Sequence, residues 1–224
     1  MPFRVFVGYD SREDMAFRVC ESSMRRRSSI ALDIRPIVQS ELRPRGLYWR
    51  PADPLASTEF TYTRFLTPYL AGYQGWALFC DCDFLWLADV AGLAALADPG
   101  KAVLCVHHDH RPAEATKMDG AVQTSYPRKN WSSLMLLNCG HPSVRALTPQ
   151  SVNTQSGAYL HRMQWAADDE IGALPPTWNW LEGSMPRPES GTPSAVHFTR
   201  GGPWFEGWQD VDYGELWRRE RETL

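Results

Sequence analysis

Two aspartates one residue apart stand at the end of an apolar run in this chain. Trp76-Ala-Leu-Phe-Cys80 leads into Asp81-Cys82-Asp83, and Phe84-Leu-Trp-Leu87 is apolar again. In an extended chain, residues i and i+2 point to the same side. At a bending strand end both carboxylates can address one hard cation, directly or through water. Mg2+ and Mn2+ prefer oxygen ligands and keep positions open for the phosphates of a substrate. Turns are rich in aspartate, but a turn seldom lies between two such apolar runs, so the metal reading is the stronger. His107-His108-Asp109-His110 also looks like a ligand set. Adjacent side chains of an extended chain point to opposite sides and cannot all reach one ion, so loop polarity is the better reading of these histidines.

The elements that would position these residues follow from the hydrophobic pattern. Phe3 to Gly8 reads as a first strand, ending in Tyr9-Asp10. Ser11-Arg-Glu-Asp14 fits a capping box, and Met15, Ala16, Val19 and Cys20 recur at helical spacing, which predicts a helix over 12–27. Ala31 to Val38 is a second strand, and 43–56, with three prolines, is a loop. Helical character follows over 58–70, then strands over 76–80, 102–107 and 132–138, with a short helix over 90–97. Residues 109–128 are polar and irregular, 142–164 are helical in part, 195–199 form a last strand and 211–222 a last helix. Strands alternating with helices through the first 140 residues predict an α/β sheet with helices on both faces. Such sheets bind ligands at the carboxyl ends of their strands, where Asp10, Asp81 and Asp109 fall.

The 224 residues suit one domain with a substantial core. A net charge of −3 gives no reason to expect a nucleic-acid partner. Arg25-Arg26-Arg27 reads as a solvated helix end, where cations favour the helix dipole. No apolar run approaches the roughly 20 residues of a membrane span, and the N-terminus runs straight into a strand pattern without the shape of a signal peptide. The five cysteines include no CxxC pair and mostly lie in apolar runs. They read as buried, reduced thiols of a cytoplasmic protein. Of ten tryptophans, Trp165, Trp178, Trp180, Trp204 and Trp208 fall in the C-terminal part. Flat apolar faces suit a sugar ring, although packing is the plainer reading of any one of them.

The aspartate pair admits a phosphatase reading, in which a nucleophilic aspartate begins DxDxT on the first strand. Here Leu85 stands in the threonine position, and the first strand ends in Gly8-Tyr9-Asp10 instead. A different family fits better. Thr61-Tyr-Thr-Arg64-Phe-Leu-Thr-Pro-Tyr-Leu70, followed by Leu78-Phe-Cys-Asp81-Cys-Asp83, resembles the YxRxxxP-like helix and LDxD-type strand end of glycosyltransferase family 8 and its GT-A-fold relatives. In the same order, Leu134-Met-Leu-Leu-Asn138 resembles the family's strand ending in Asn. Asp168-Asp169-Glu170-Ile171 resembles its DQD-type segment and Leu174-Pro-Pro-Thr-Trp178-Asn179 its LPxxWN element. His197-Phe-Thr-Arg200-Gly-Gly-Pro-Trp204 resembles its C-terminal HxxGxxKPW. The order of the matches carries more weight than any one of them.

The resemblance implies a GT-A-like α/β fold, a mixed, mainly parallel sheet flanked by helices, in a single domain over 1–224. Residues 1–140 would bind the nucleotide sugar, and 141–224 would supply the acceptor side and close the metal site. Gly8, Tyr9 and Asp10 would hold the base and ribose, with Trp204 also on the donor side. Arg64 would meet the nucleotide or its phosphates, since a fork of donors suits phosphate oxygens. Asp81 and Asp83 would hold Mn2+ or Mg2+, with His197 completing the shell as a neutral imidazole. Asp109 would touch the donor sugar. The departures mark a distant relative. The last motif is one residue short and has Gly202 in place of its lysine, so Arg200 would supply the charge facing the diphosphate. Ser132-Ser133 replaces Ala-Gly, which leaves the register of Asn130 open, and Asp169 stands where glutamine is expected.

The function implied is metal-dependent transfer of a sugar from a nucleotide diphosphate sugar, with a UDP-sugar the first choice, to the hydroxyl of a saccharide or other acceptor. The family suggests retention, with Asp168 or Asp169 positioning the acceptor or stabilising charge; in an inverting enzyme one of them would be the base. The span 165–182 offers carboxylates, an amide and three tryptophans, and would form an acceptor wall. A sugar-1-phosphate nucleotidyltransferase is the alternative enzyme, disfavoured because Gly8-Tyr-Asp-Ser-Arg-Glu-Asp14 has one glycine and three carboxylates where a triphosphate loop is Gly-rich and basic. A non-catalytic nucleotide-sugar-binding protein is the other alternative.

Overall fold

The apolar runs of the sequence become the middle of a six-stranded sheet. A computed structural model describes residues 1–54, 56–108, 128, 130–188 and 190–224. Its strands are β1 (Phe3–Gly8), β2 (Leu32–Ile37), β3 (Trp76–Cys80), β4 (Phe84–Trp86), β5 (Val103–Cys105), β6 (Leu134–Asn138), β7 (Ile171–Ala173), β8 (Trp180–Leu181) and β9 (Ala195–His197). The large sheet runs β2-β1-β3-β6-β5-β7, and the small one runs β4-β9-β8. In the large sheet β6 alone is antiparallel, to β3 on one side and β5 on the other. All other pairings are parallel, so β1, β2, β3, β5 and β7 end at one edge of the sheet. Strands of a sheet covered on both faces read as continuous apolar runs rather than alternating ones; WALFC and LMLLN are such runs, and four residues of each are fully buried.

Two longer helices, α1 (Asp14–Arg27) and α8 (Gly214–Arg221), pack on each other, and α1 also packs on β4. Short helices α2 (Gln39–Leu42), α3 (Thr67–Leu70), α4 (Val90–Ala94), α5 (Pro142–Arg145), α6 (Pro149–Thr154) and α7 (Gly157–His161) fill the connections. Buried Glu220 of α8 accepts from Ser22, Arg26 and Arg27, so two of the three arginines at the end of α1 tie the two helices together. The chain enters α1 by a 3-10 turn, Ser11–Glu13, capped by the Asp10 side chain; the cap is Asp10 and not Ser11. All five cysteines are free and buried. No helix among the described residues is long and apolar enough to cross a membrane.

The small sheet positions the chemistry. It joins residues distant in sequence: Phe84 of β4 pairs with His197 of β9, and Leu181 of β8 pairs with the same histidine from the other side. Asp83 immediately precedes β4, and its carbonyl accepts from Phe198 N at 3.0 Å. The C-terminal segment thus returns to the end of β3.

Candidate metal centre

β3 extends one step beyond its last strand residue, because Asp81 N donates to Ser133 O at 2.9 Å. The chain then bends, so Asp81 and Asp83 leave the sheet on one side of a turn. β9 lays His197 beside them, with its ring stacked on Phe84 at 4.4 Å between centroids. One ligand atom from each of Asp81, Asp83 and His197 lies within 4.8 Å of the others. His197 Nε2 is 3.3 Å from Asp83 Oδ1, and Nδ1 on the other side of the ring is 2.9 Å from Asn179 Oδ1. Two carboxylates and one imidazole converging in a buried corner fit a divalent cation of the Mn2+ or Mg2+ type, and the set leaves positions for oxygens from outside the protein. The three metal-ligand candidates of the sequence are thereby brought together.

Arg64 lies behind this corner rather than in an open cleft. It sits in a 3-10 turn, Thr63–Leu66, is buried, and donates from Nη1 to Asp81 Oδ1 at 2.8 Å and to Ser132 O at 3.1 Å. Its guanidinium is 5.1 Å and 5.3 Å from the Phe60 and Phe79 ring centres. Within the chain its ionic partner is the Asp81 carboxylate, and Arg64 orients Asp81. Behind it, Ser132 Oγ is 2.9 Å from His161 Nδ1, and burial, followed by the charges of Arg64 and Arg50, pushes that imidazole down to about 3.

Glu13 is a neighbour that the sequence reading did not single out. It accepts from Cys82 Sγ at 3.4 Å, and burial together with the Asp83 charge pushes its carboxyl up to about 7. Its only sequence signal was its place in the acidic turn after β1. Asp10 is fully buried in that turn and accepts from Arg12 N, Arg12 Nε, Arg12 Nη2 and Glu59 N. Burial alone would raise the Asp10 carboxyl, but these hydrogen bonds outweigh it and hold the group below its ordinary value. Tyr9 donates to Asp14 at 3.0 Å and packs edge-on against Phe17. Gly8 passes under Phe60, whose ring would lie 2.4 Å from any Cβ there. Beside this turn a cavity of about 230 Å³ is lined by Arg12, Gln39, Arg43, Tyr48, Asp53 and Tyr62, among others.

The remaining candidates divide. Arg200 donates to buried Glu182 at 3.1 Å and lies over the Trp208 ring. Glu182 follows β8 directly, and its N–H donates to His197 O, so this ion pair borders the metal corner. Gly183 has φ +65°, and a Cβ there would overlap the Arg200 guanidinium, so glycine is needed on both counts. Trp204 packs among Phe198, Phe205 and Trp217. Asp109 lies outside the described residues.

Asp168 and Asp169 are not brought to the corner. They form a 3-10 turn that enters β7, where Glu170 O accepts from Ala102 N and Asp169 O from Lys101 Nζ. Asn138 N donates to Ala102 O, and Asn138 pairs with Trp76, so this turn stands level with the beginning of β3. Asp81 is five residues further on, ~16 Å along the strand. The Asp168 side chain is exposed and held by Arg128 at 2.5 Å. Trp165, Trp178 and Trp180 are buried, with Trp178 against Trp86. In the span 165–182 the tryptophans pack the interior, and Asn179 alone among its polar candidates touches the metal corner.

No family model matches the chain. Protein CDI of Arabidopsis thaliana is 58% identical over 224 residues, which are 99% of this chain and 86% of that protein. The chain belongs to the Protein CDI family. Solved structures add the fold. The glycosyltransferase GlyE of Streptococcus pneumoniae superposes with a TM-score of 0.64 at 14% identity, over 99% of this CDI-family chain. This chain spans 60% of the length of GlyE. The galactosyltransferase LgtC, solved with donor and acceptor sugar analogues, gives 0.61 at 9% identity over 99% of this chain and 96% of its own. Mouse xyloside xylosyltransferase 1 gives 0.55 at 10% identity, over 91% of this chain and 100% of its own. The CDI-family chain thus has a GT-A-like glycosyltransferase fold, as the sequence led us to expect.

Proposed function

We propose that this protein is a metal-dependent glycosyltransferase that moves a sugar from a nucleotide diphosphate sugar, with a UDP-sugar the first choice, to an acceptor hydroxyl. The observation that supports it most is the convergence of Asp81, Asp83 and His197 at the carboxyl end of β3, in a fold shared with solved glycosyltransferases. Asp81, Asp83 and His197 would hold Mn2+ or Mg2+. When bound, such an ion neutralises the leaving diphosphate and acts as a Lewis acid on it.

The chain's own residues have three tasks in this reading. Arg64 holds the Asp81 carboxylate in one orientation, so its remaining oxygen need not be reoriented when the donor arrives. The Asp10-capped turn and the cavity beside it, at the ends of β1 and β2, offer a place for the nucleoside. Arg200, anchored by Glu182 next to β9, supplies positive charge on the side of the leaving phosphates, where charge develops in the transition state. The acidic turn after β1 would repel a triphosphate, which favours transfer over nucleotidyl exchange. We place the protein in the cytoplasm, consistent with five reduced, buried cysteines.

The test is a thermal-shift screen against UDP-, GDP- and CMP-sugars with and without Mn2+, followed by donor turnover with the sugar that binds. A ligand that binds the native state raises stability by an amount set by its concentration over Kd. We expect a shift with one nucleotide diphosphate sugar that requires Mn2+. Equal shifts with and without metal would remove the metal from the account.

A further inference from the structure

A single hydrogen-bond chain runs from a backbone carbonyl to the imidazole of His197, and its direction is forced. Ser133 Oγ donates to Asn130 O at 2.6 Å, and a carbonyl can only accept. The serine hydrogen is thereby used, so the contact of Asn179 with Ser133 Oγ at 2.9 Å is a donation from the amide NH2 group. The other end of the same amide must then be its carbonyl oxygen, and this end lies 2.9 Å from His197 Nδ1. A carbonyl facing Nδ1 requires the hydrogen to be on Nδ1. In the neutral imidazole, which carries one hydrogen, Nε2 is left with its lone pair, and Nε2 is the nitrogen 3.3 Å from Asp83 Oδ1. Ser133, Asn179 and His197 are all buried, so water has little access to break the sequence. Reversing any one link would set two donors or two acceptors against each other in a buried place, which is costly.

We propose that Ser133 and Asn179 are positioning residues that lock His197 in the Nδ1–H form and aim its Nε2 lone pair at the gap beside Asp83. This rests on the metal reading for its purpose, since a lone pair facing a carboxylate oxygen makes no hydrogen bond and suits a shared cation. Ser133 serves both sides of the corner. Its hydroxyl begins the lock on His197, while its carbonyl receives Asp81 N–H at 2.9 Å. One residue thus sets the imidazole and the first carboxylate relative to each other. Outer partners of a metal-ligating histidine act in this way generally, and their loss costs about 10- to 100-fold in affinity.

The test reads the tautomer directly, by histidine side-chain 15N NMR of the metal-free protein at mildly alkaline pH, with His197 assigned from His197→Gln. The wild type should show Nδ1 protonated and Nε2 bare. Ser133→Ala should add the second tautomer and weaken Mn2+ binding, measured by calorimetry, by about tenfold or more. Asn179→Asp should keep the Nδ1–H form and bind Mn2+ at least as well as the wild type, because a carboxylate can only accept. A wild-type His197 protonated at Nε2 would overturn the proposal. So would a Ser133→Ala protein with one tautomer and unchanged Mn2+ affinity. A wild type with bare Nε2 that binds no Mn2+ would overturn the metal reading and leave the lock standing.

Discussion

Asp81 and Asp83 stand where β3 leaves the sheet, while Asp168 and Asp169 stand where the chain enters β7, at the other end. The residue types are the same, yet everything around them differs. At the leaving end Asp81 is held by buried Arg64, Asp83 is within reach of His197, and Glu13 adds a carboxyl whose proton affinity is raised. At the entering end the Asp168 side chain is exposed and is met by Arg128. A carboxylate pair becomes a candidate for chemistry through what the fold converges on it, and in parallel sheets that convergence lies at the carboxyl ends of the strands. The small sheet makes the difference here, since β9 brings His197 to the first pair and nothing comparable among the described residues reaches the second.

The two ends should differ most at Asp83. Asp83→Asn should lower transfer by more than about a hundredfold, as expected for loss of a group that holds charge at the reacting centre, while the fold survives by circular dichroism. Turnover near wild type at saturating Mn2+ would remove the leaving end from the chemistry. Arg64→Leu should come next. Removing one partner of a buried ion pair costs about 3–5 kcal/mol, and the loss should show as a lower Tm that added Mn2+ partly restores by replacing the lost positive charge. A Tm unchanged in metal-free protein would mean that Asp81 does not depend on Arg64.

Acid should weaken the leaving end as well. His161 lies behind Ser132, and its value of about 3 in the folded chain is below the ordinary ~6.5. The unfolded chain therefore binds the extra proton between these pH values. The stability tied to a neutral His161 is complete above about pH 6.5 and is lost as pH falls toward 3. Denaturant titrations across that window should show the decline, and His161→Gln should flatten it; an equal slope in the variant would assign the acid loss elsewhere. The smallest effect is expected at the entering end. Asp169→Asn should leave transfer within about twofold, the usual range for an exposed change away from any site. A collapse of transfer with donor binding intact would return the acceptor to that turn.

The large sheet was legible because β1, β3 and β6 are apolar runs that strands covered on both faces require. β7 and β8 were not, since IGA and WL have no periodicity and lie beside polar or proline-bearing turns, whereas β5 and β9, equally short, sit within longer apolar stretches. The antiparallel sense of β6 had no sequence signal either. Among site residues, Asp81, Asp83 and His197 were legible from a strand-end pair and an ordered resemblance. Arg64 was found, but its place against Asp81 was not, because its fork suits a phosphate and a carboxylate alike. Ser133 and Asn179 were visible only as letters in motifs; their task depends on a chain of donors and acceptors that joins three distant segments. Glu13 and Glu182 gave no signal beyond being acidic, since burial is what singles them out.

In the proposed function Asp81, Asp83 and His197 hold the metal through which a nucleotide diphosphate sugar binds. Calorimetric titration of the wild type and Asp83→Asn with the donor identified by the thermal-shift screen, each with and without Mn2+, addresses it in one experiment. We expect donor binding to the wild type that requires Mn2+, and none of that metal-dependent binding in Asp83→Asn. Donor binding of equal strength in both proteins, with the same response to Mn2+, would contradict it.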